Sequence, residues 1–194
     1  MKLHAMKQAL ILSAGISGLF FNGTALADRF VLDPTHSFIQ FSISHLGVSL
    51  LQGRFNQMEG EFFYDEKQPE ASKINVQVKT ASIDSNHAER DKHIRNEDFL
   101  NVDKYPTASF VSKGFKPLAD GKSQLTGDLT LHGVTRPVVV DVAFVGAGDD
   151  PWGGYRRGYQ GTTTIKRSDY DMSYNLGPMA DSMVLRFFIE GIRE

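Results

Sequence analysis

Apolar residues recur at every second position through most of this chain, between residues 39 and 189. That alternation limits the possible folds more than any other feature. Successive side chains of an extended strand point to opposite faces, so a period of two marks a strand with one buried and one wetted face. The pattern runs through Ile39, Phe41 and Ile43; through Met58, Phe62 and Tyr64, around Gly60; through Ile74, Val76 and Val78; and briefly through Ala108 and Phe110. It returns in Leu125, Leu129 and Leu131; in Val138, Val140, Val142 and Phe144; in Tyr159, Thr163 and Ile165; and in Met183, Leu185, Phe187 and Ile189. Roughly eight strands are therefore expected, with turn-like stretches at 65–69, 119–123, 132–137 and 146–154.

Only residues 85–100, SNHAERDKHIRNEDFL, read differently. They are charged and lack Gly and Pro, and Ser85 or Asn86 is available as an N-cap. Glu89 reaches His93, and Asp91 reaches Arg95, at helical spacing. The expectation is one short, solvent-facing helix carrying His87 and His93. A single helix cannot cover both faces of eight one-sided strands. The strands must share an interior, either as a sandwich or closed into a barrel, and closure has the advantage of removing exposed edges.

Residues 1–27 read as an export leader. Lys2 and Lys7 open it, an apolar stretch runs from Ala9 to Phe21, and Ala25-Leu26-Ala27 ends it. The apolar stretch is too short and too interrupted to span a bilayer. Without the leader the chain keeps 19 basic and 23 acidic residues, a net charge of −4. An acidic balance argues against non-specific nucleic-acid binding. The absence of cysteine excludes disulfides, zinc–thiolate sites and thiol nucleophiles. An exported chain of this kind suits the bacterial periplasm, with residues 28–194 as one domain.

Catalytic patterns are sparse. There is no G-x-S-x-G elbow, no phosphate loop and no H-E-x-x-H pair. His36 and His45 lie nine residues apart, so on a strand they face opposite ways and stand about 30 Å apart at ~3.3 Å per residue. One metal ion cannot use both unless the chain folds back between them. Each reads better as a backbone-bonded histidine near a barrel rim, and nothing in the sequence brings His132 to either. Asp149-Asp150 reads as a solvated turn, and so do Asp169 and Asp171, which bracket Tyr170. Aromatic residues make up 11% of the chain and punctuate nearly every strand. Periodicity alone does not separate a filled barrel from a hollow one.

Several blocks together resemble the YceI-like family, the polyisoprenoid-binding, lipocalin-like periplasmic proteins. They are LDPTHSFIQFSISHLGVSLLQGRF at 32–55, RDKHIRNEDFLNVDKYPTASFVS at 90–112, LTGDLTLHGVTRPVVVDVAFVG at 125–146 and IKRSDYDMSY at 165–174. The last departs from the family pattern, which has Ser-Asp-Phe-Gly-Met where this chain has Ser168-Asp169-Tyr170-Asp171-Met172; losing that glycine puts the backbone of the turn in question. The resemblance implies an all-β fold, an eight-stranded antiparallel lipocalin-like β-barrel with one short helix between strands. It implies an isoprenoid amphiphile such as a polyprenyl quinone or its precursor in an apolar lumen, with no catalytic residue, cofactor or metal. Transient membrane contact and a homodimer are compatible with it.

The lumen-facing residues expected from strand parity are Phe41, Ile43, Met58, Phe62, Val76, Phe110, Leu129, Leu131, Val140, Phe144, Ile165, Leu185 and Phe187. Two other readings compete with a carrier. One is an enzyme that uses the lumen as its pocket, with His36, His45 or Asp169 as acid or base. The other is an interaction protein whose barrel is simply filled.

Overall fold

A computed structural model describes residues 27–194. The expected leader therefore lies, apart from Ala27, outside the described residues. Eleven strand segments form a single antiparallel sheet that closes on itself: β1 (Asp28–Leu32), β2 (Phe38–His45), β3 (Ser49–Phe55), β4 (Met58–Tyr64), β5 (Lys73–Lys79), β6 (Ile83–Asp84), β7 (Thr107–Pro117), β8 (Lys122–Leu131), β9 (Val134–Asp149), β10 (Tyr155–Lys166) and β11 (Ser182–Arg193). Three pairs are bent single staves. β1 and β2 both pair with β11, β3 and β4 run back along them, and β5 and β6 pair with β4 and β3. The wall is thus an eight-stranded barrel, closed where β1 meets β11. The one α-helix among the described residues, α1 (Ala88–Arg95), lies between β6 and β7.

The bend between β1 and β2 has a covalent cause. Pro34 has no N–H to give to the ladder. Asp33 and Ser37 bridge the gap: the Asp33 N–H donates to the Glu190 carbonyl at 2.8 Å, and the Ser37 hydroxyl donates to the same carbonyl at 3.1 Å. The Asp33 side chain then accepts from the Thr35 N–H at 2.9 Å, turning the chain back into β2.

The helix is shorter than expected, and it is not solvent-facing all round. Its N-cap is His87, whose Nδ1 accepts from the Arg90 N–H at 3.2 Å, in place of Ser85 or Asn86. Asp91 is buried and accepts from the Ser85 N–H at 2.9 Å, while Arg95 donates to the Ala81 and Ile83 carbonyls. The expected Asp91–Arg95 and Glu89–His93 pairs do not form, because the barrel end offers these side chains better partners; His93 pairs with Asp98 at 3.0 Å.

At Asp171 the backbone is left-handed, with φ 57°, directly after the 3₁₀ turn Arg167–Tyr170. The turn keeps the conformation a glycine favours and accommodates Asp in it, at a strain that glycine would not carry.

Candidate functional site

The barrel is hollow. A cavity of about 840 Å³ runs along it, lined by apolar residues of β2–β11 and α1. That volume lies within the ~300–1,000 Å³ of small-molecule sites. What keeps the lumen open is a pairing of rings with glycines on other strands, adjacent in two cases and one strand removed, across β1, in the third. The Phe41 ring lies over Gly53, where an added Cβ would come within 2.5 Å of Phe41 Cε1. Phe110 covers Gly127 and Phe62 covers Gly191, each with the same 2.5 Å approach. Rings laid flat against the wall leave the axis free; rings held off by a side chain would cross it. Gly53→Ala is expected to destabilise the fold by about 1–3 kcal/mol, the cost of overpacking. Urea unfolding measures this, and an unchanged midpoint would contradict the contact.

Of the thirteen residues expected to face the lumen, ten line the cavity: Phe41, Ile43, Phe62, Val76, Phe110, Leu129, Leu131, Val140, Leu185 and Phe187. Met58 and Ile165 are buried in the surrounding apolar cluster without reaching the cavity surface. Phe144 is a correction. It is 43% exposed and does not line the cavity. β8 ends its pairing with β9 at Lys122–Ala143, and a bulge shifts β9 against β10 at Gly158/Tyr159, so residue 144 lies past the end of β8, where β9 pairs only with β10. Its ring packs instead on Tyr159, at 5.7 Å, and under the Arg157 guanidinium, at 4.6 Å.

The lining holds no carboxylate. Its ionisable groups other than tyrosine are Lys73, Arg90, Arg167, His45 and His93, all basic. Four of them gather at one end, where α1, the β2–β3 hairpin and residues 172–180 surround a mouth. Arg167 is the most confined, 7% exposed, with no carboxylate in salt-bridge contact. It donates to the backbone carbonyls of Ala180 at 2.7 Å, Met172 at 3.0 Å and Tyr174 at 3.3 Å, and so ties the 172–180 segment to the barrel. Burial lowers its pKa, against the pull of Asp181. Periodicity pointed to neither Arg167 nor Arg90. Both lie beyond the regular strands, where a period of two says nothing.

The three residues of the enzyme reading do not form one site. His45 lines the cavity mouth; His36 and Asp169 do not line the cavity. Asp169 is exposed, and its backbone carbonyl accepts from Arg136. His132 bonds a backbone carbonyl, that of Tyr170, at 3.0 Å, as expected of a rim histidine. His36 does not; its Nδ1 sits 2.9 Å from the Asp33 carboxylate, in the wall break between β1 and β2.

Around that break is a charge cluster. Asp33, His36 and Glu190 place their ligand atoms within 4.8 Å of one another. Arg156 already supplies a cation there: its Nη1 lies 2.7 Å from Asp33 and 2.6 Å from Glu190, and its Nε donates to Asp150 at 2.8 Å. Asp150 also accepts from the Trp152 and Gly154 N–H groups, so the Asp149-Asp150 stretch is a turn, as expected, but the Asp150 carboxylate is 7% exposed and paired with Arg156, not solvated. Burial alone would raise the Asp33 carboxyl. Hydrogen bonds from Thr35, Arg156 and His36 outweigh it and hold the group well below its usual 3.8. A depressed carboxyl stabilises the fold above its unfolded pKa and loses that contribution as pH falls below it. The melting temperature is therefore expected to fall between pH 4 and pH 2 (about the unfolded carboxylate range), and less steeply in Asp33→Asn. Parallel curves for the two proteins would contradict this.

A sequence model of the YceI-like domain matches residues 30–190. A UPF0312 protein of Ectopseudomonas mendocina is 50% identical over 188 residues, covering 96% of each chain. Among solved structures, Burkholderia cenocepacia BcnA matches with a TM-score of 0.72 at 22% identity, over 82% of this chain and 98% of its own. A polyisoprenoid-binding domain from Saccharophagus degradans matches with a TM-score of 0.64 at 18% identity, over 88% of this chain and 100% of its own.

Proposed function

Because the chain belongs to the YceI-like domain family, we propose that it is a carrier that holds a long isoprenoid amphiphile, of the polyprenyl quinone type or a precursor, in the barrel lumen, and that it works in the bacterial periplasm. The observation that carries the reading is the lengthwise apolar cavity with no carboxylate in its lining. The solved neighbour described as a polyisoprenoid-binding domain supports the ligand class. The leader-like residues 1–27 support export.

The physics sets the kind of binding. Burying a methylene from water gains roughly 0.8 kcal/mol, so each five-carbon isoprene unit gains roughly 3–4 kcal/mol. A few units offset the association cost of about 4–15 kcal/mol. A bilayer, however, keeps the same tail equally dry. Lumen shape and contacts at the mouth must then decide the partition, and the protein is an exchanging carrier, not a trap.

The test is uptake. Delipidated protein is mixed with vesicles containing a polyprenyl quinone, re-isolated and extracted. The reading expects close to one quinone per barrel; quinone no higher than in a control protein overturns it. His45→Ala is expected to lower the retained quinone by about 2–10-fold, the worth of one hydrogen bond. His36→Ala is expected to leave it unchanged, because His36 is remote from the cavity surface. Equal losses in the two variants would contradict this placement.

A further inference from the structure

The rim of the mouth is apolar where a soluble protein is normally polar. Leu46 and Val48, at the tip of the β2–β3 hairpin, are 71% and 84% exposed. Across the mouth Met179 is 61% exposed, and Leu50 and Leu176 are exposed beside them. The two edges meet, since a Cβ on Gly47 would lie 3.9 Å from Met179 Cγ. Leu46 and Leu176 also line the cavity, so this patch and the lumen are one continuous apolar surface. Contiguous exposed apolar patches mark sites of protein or membrane contact.

Leu46 makes the patch hard to dismiss as chance. It and Gly47 form a two-residue turn with φ 56° and 74°, closed by the Val48 N–H on the His45 carbonyl at 3.0 Å. Positive φ at both central residues is the geometry that favours Asn-Gly, and a bulky residue in the first position is strained. The leucine therefore has an unfavourable backbone and an unfavourable exposure together. Neither folding nor burial accounts for it.

Charge identifies the occupant. Residues 44–51 and 172–180 contain no Asp, Glu, Lys or Arg, in a chain that is 23% charged. Behind them the cavity lining carries Arg90 and the buried Arg167, with His45 and His93 beside them. An uncharged apolar tip backed by the two arginines Arg90 and Arg167, with no carboxylate in the lining, is the pattern of a surface that seats shallowly in an anionic lipid interface. We propose that this rim docks on an anionic phospholipid bilayer and presents the cavity mouth to the lipid phase. Its purpose rests on the carrier reading, because a tail could then pass between two apolar phases without crossing water. A second copy seated on the same rim would seal the mouth.

The experiment is flotation of the mature protein, with no cargo added, on vesicles of phosphatidylethanolamine and phosphatidylglycerol. Wild-type protein is expected to float. Leu46→Asn is expected to float at least about tenfold less, from the loss of one leucine's burial. That variant suits the turn better, so its melting temperature is expected to match or exceed the wild type's, and misfolding is not an explanation. Met179→Ser is expected to weaken flotation in the same direction. Absence of wild-type flotation, or equal flotation of Leu46→Asn, overturns the inference. So does a vesicle-free dimer in analytical ultracentrifugation that Leu46→Asn dissolves, since the rim is then a contact between copies. Repeating the flotation with quinone in the vesicles separates the two readings. Protein that floats but extracts no quinone keeps the docking rim and loses the carrier; protein that takes up quinone but leaves the vesicles at once does the reverse.

Discussion

Leu129→Trp is expected to empty the barrel without unfolding it. Leu129 lies on the cavity wall, level with Phe110 on β7, and that residue is level with Val76 on β5. A tryptophan there extends into space that a ligand chain would occupy. In a close-packed interior such an enlargement costs about 1–3 kcal/mol. In a cavity of about 840 Å³ the ring has room, and it buries apolar surface. Stability is therefore expected to stay within about 1 kcal/mol of wild type, or to rise. Ligand retention is expected to fall steeply. Displacing one five-carbon unit forfeits roughly 3–4 kcal/mol relative to water, more than about a hundredfold in retention against an aqueous wash. Urea unfolding together with quantified extracted ligand checks both halves. A variant that is strongly destabilised yet retains its ligand would show that the lumen is filled and the binding surface lies elsewhere.

The second large effect belongs to Arg167→Met. Methionine keeps much of the volume and the apolar stem but removes every donor. Three backbone carbonyls, of Ala180, Met172 and Tyr174, lose their partner. An unsatisfied buried polar group costs about 1–3 kcal/mol. Met172 and Ala180 are buried while Tyr174 is exposed, so water rescues only part of the set. The expected loss is about 3 kcal/mol. It should be local: hydrogen exchange in residues 172–180 is expected to speed up far more than in β8 or β9. Because this segment forms one side of the mouth, bound ligand should also leave faster. A uniform acceleration of exchange over the whole barrel, or none, would contradict the assignment of Arg167 as the tie between barrel and mouth.

The comparison of sequence with structure has a clear physical boundary. Where strands are long and face water on one side, as in β5, β8 and β11, alternation alone identifies them and their inward residues. Where a stave is bent, it finds only one half. β1, β3 and β6 are absent from the alternation reading, because β1 is only Asp28–Leu32, β6 only Ile83–Asp84, and β3 is interrupted by Gly53. Phe144 keeps the right parity but lies beyond the end of β8, a long-range fact that local spacing does not encode. Whether the barrel is hollow depends on Phe41 meeting Gly53 and Phe62 meeting Gly191, the second pair 129 positions apart in numbering. Arg156 gathers Asp33, Asp150 and Glu190 from three separate parts of the chain, and no motif announces such a cluster. Asp171 is the opposite case. The replaced glycine was visible in the motif, and the backbone at that position is still the left-handed one a glycine favours.

Native mass spectrometry, paired with organic extraction, of the protein purified from the cells that express it tests the central claim most directly. The account predicts one tightly associated amphiphile per barrel, with a mass that steps in isoprene units. Protein that emerges empty, and stays empty when polyprenols and polyprenyl quinones are added, would contradict it.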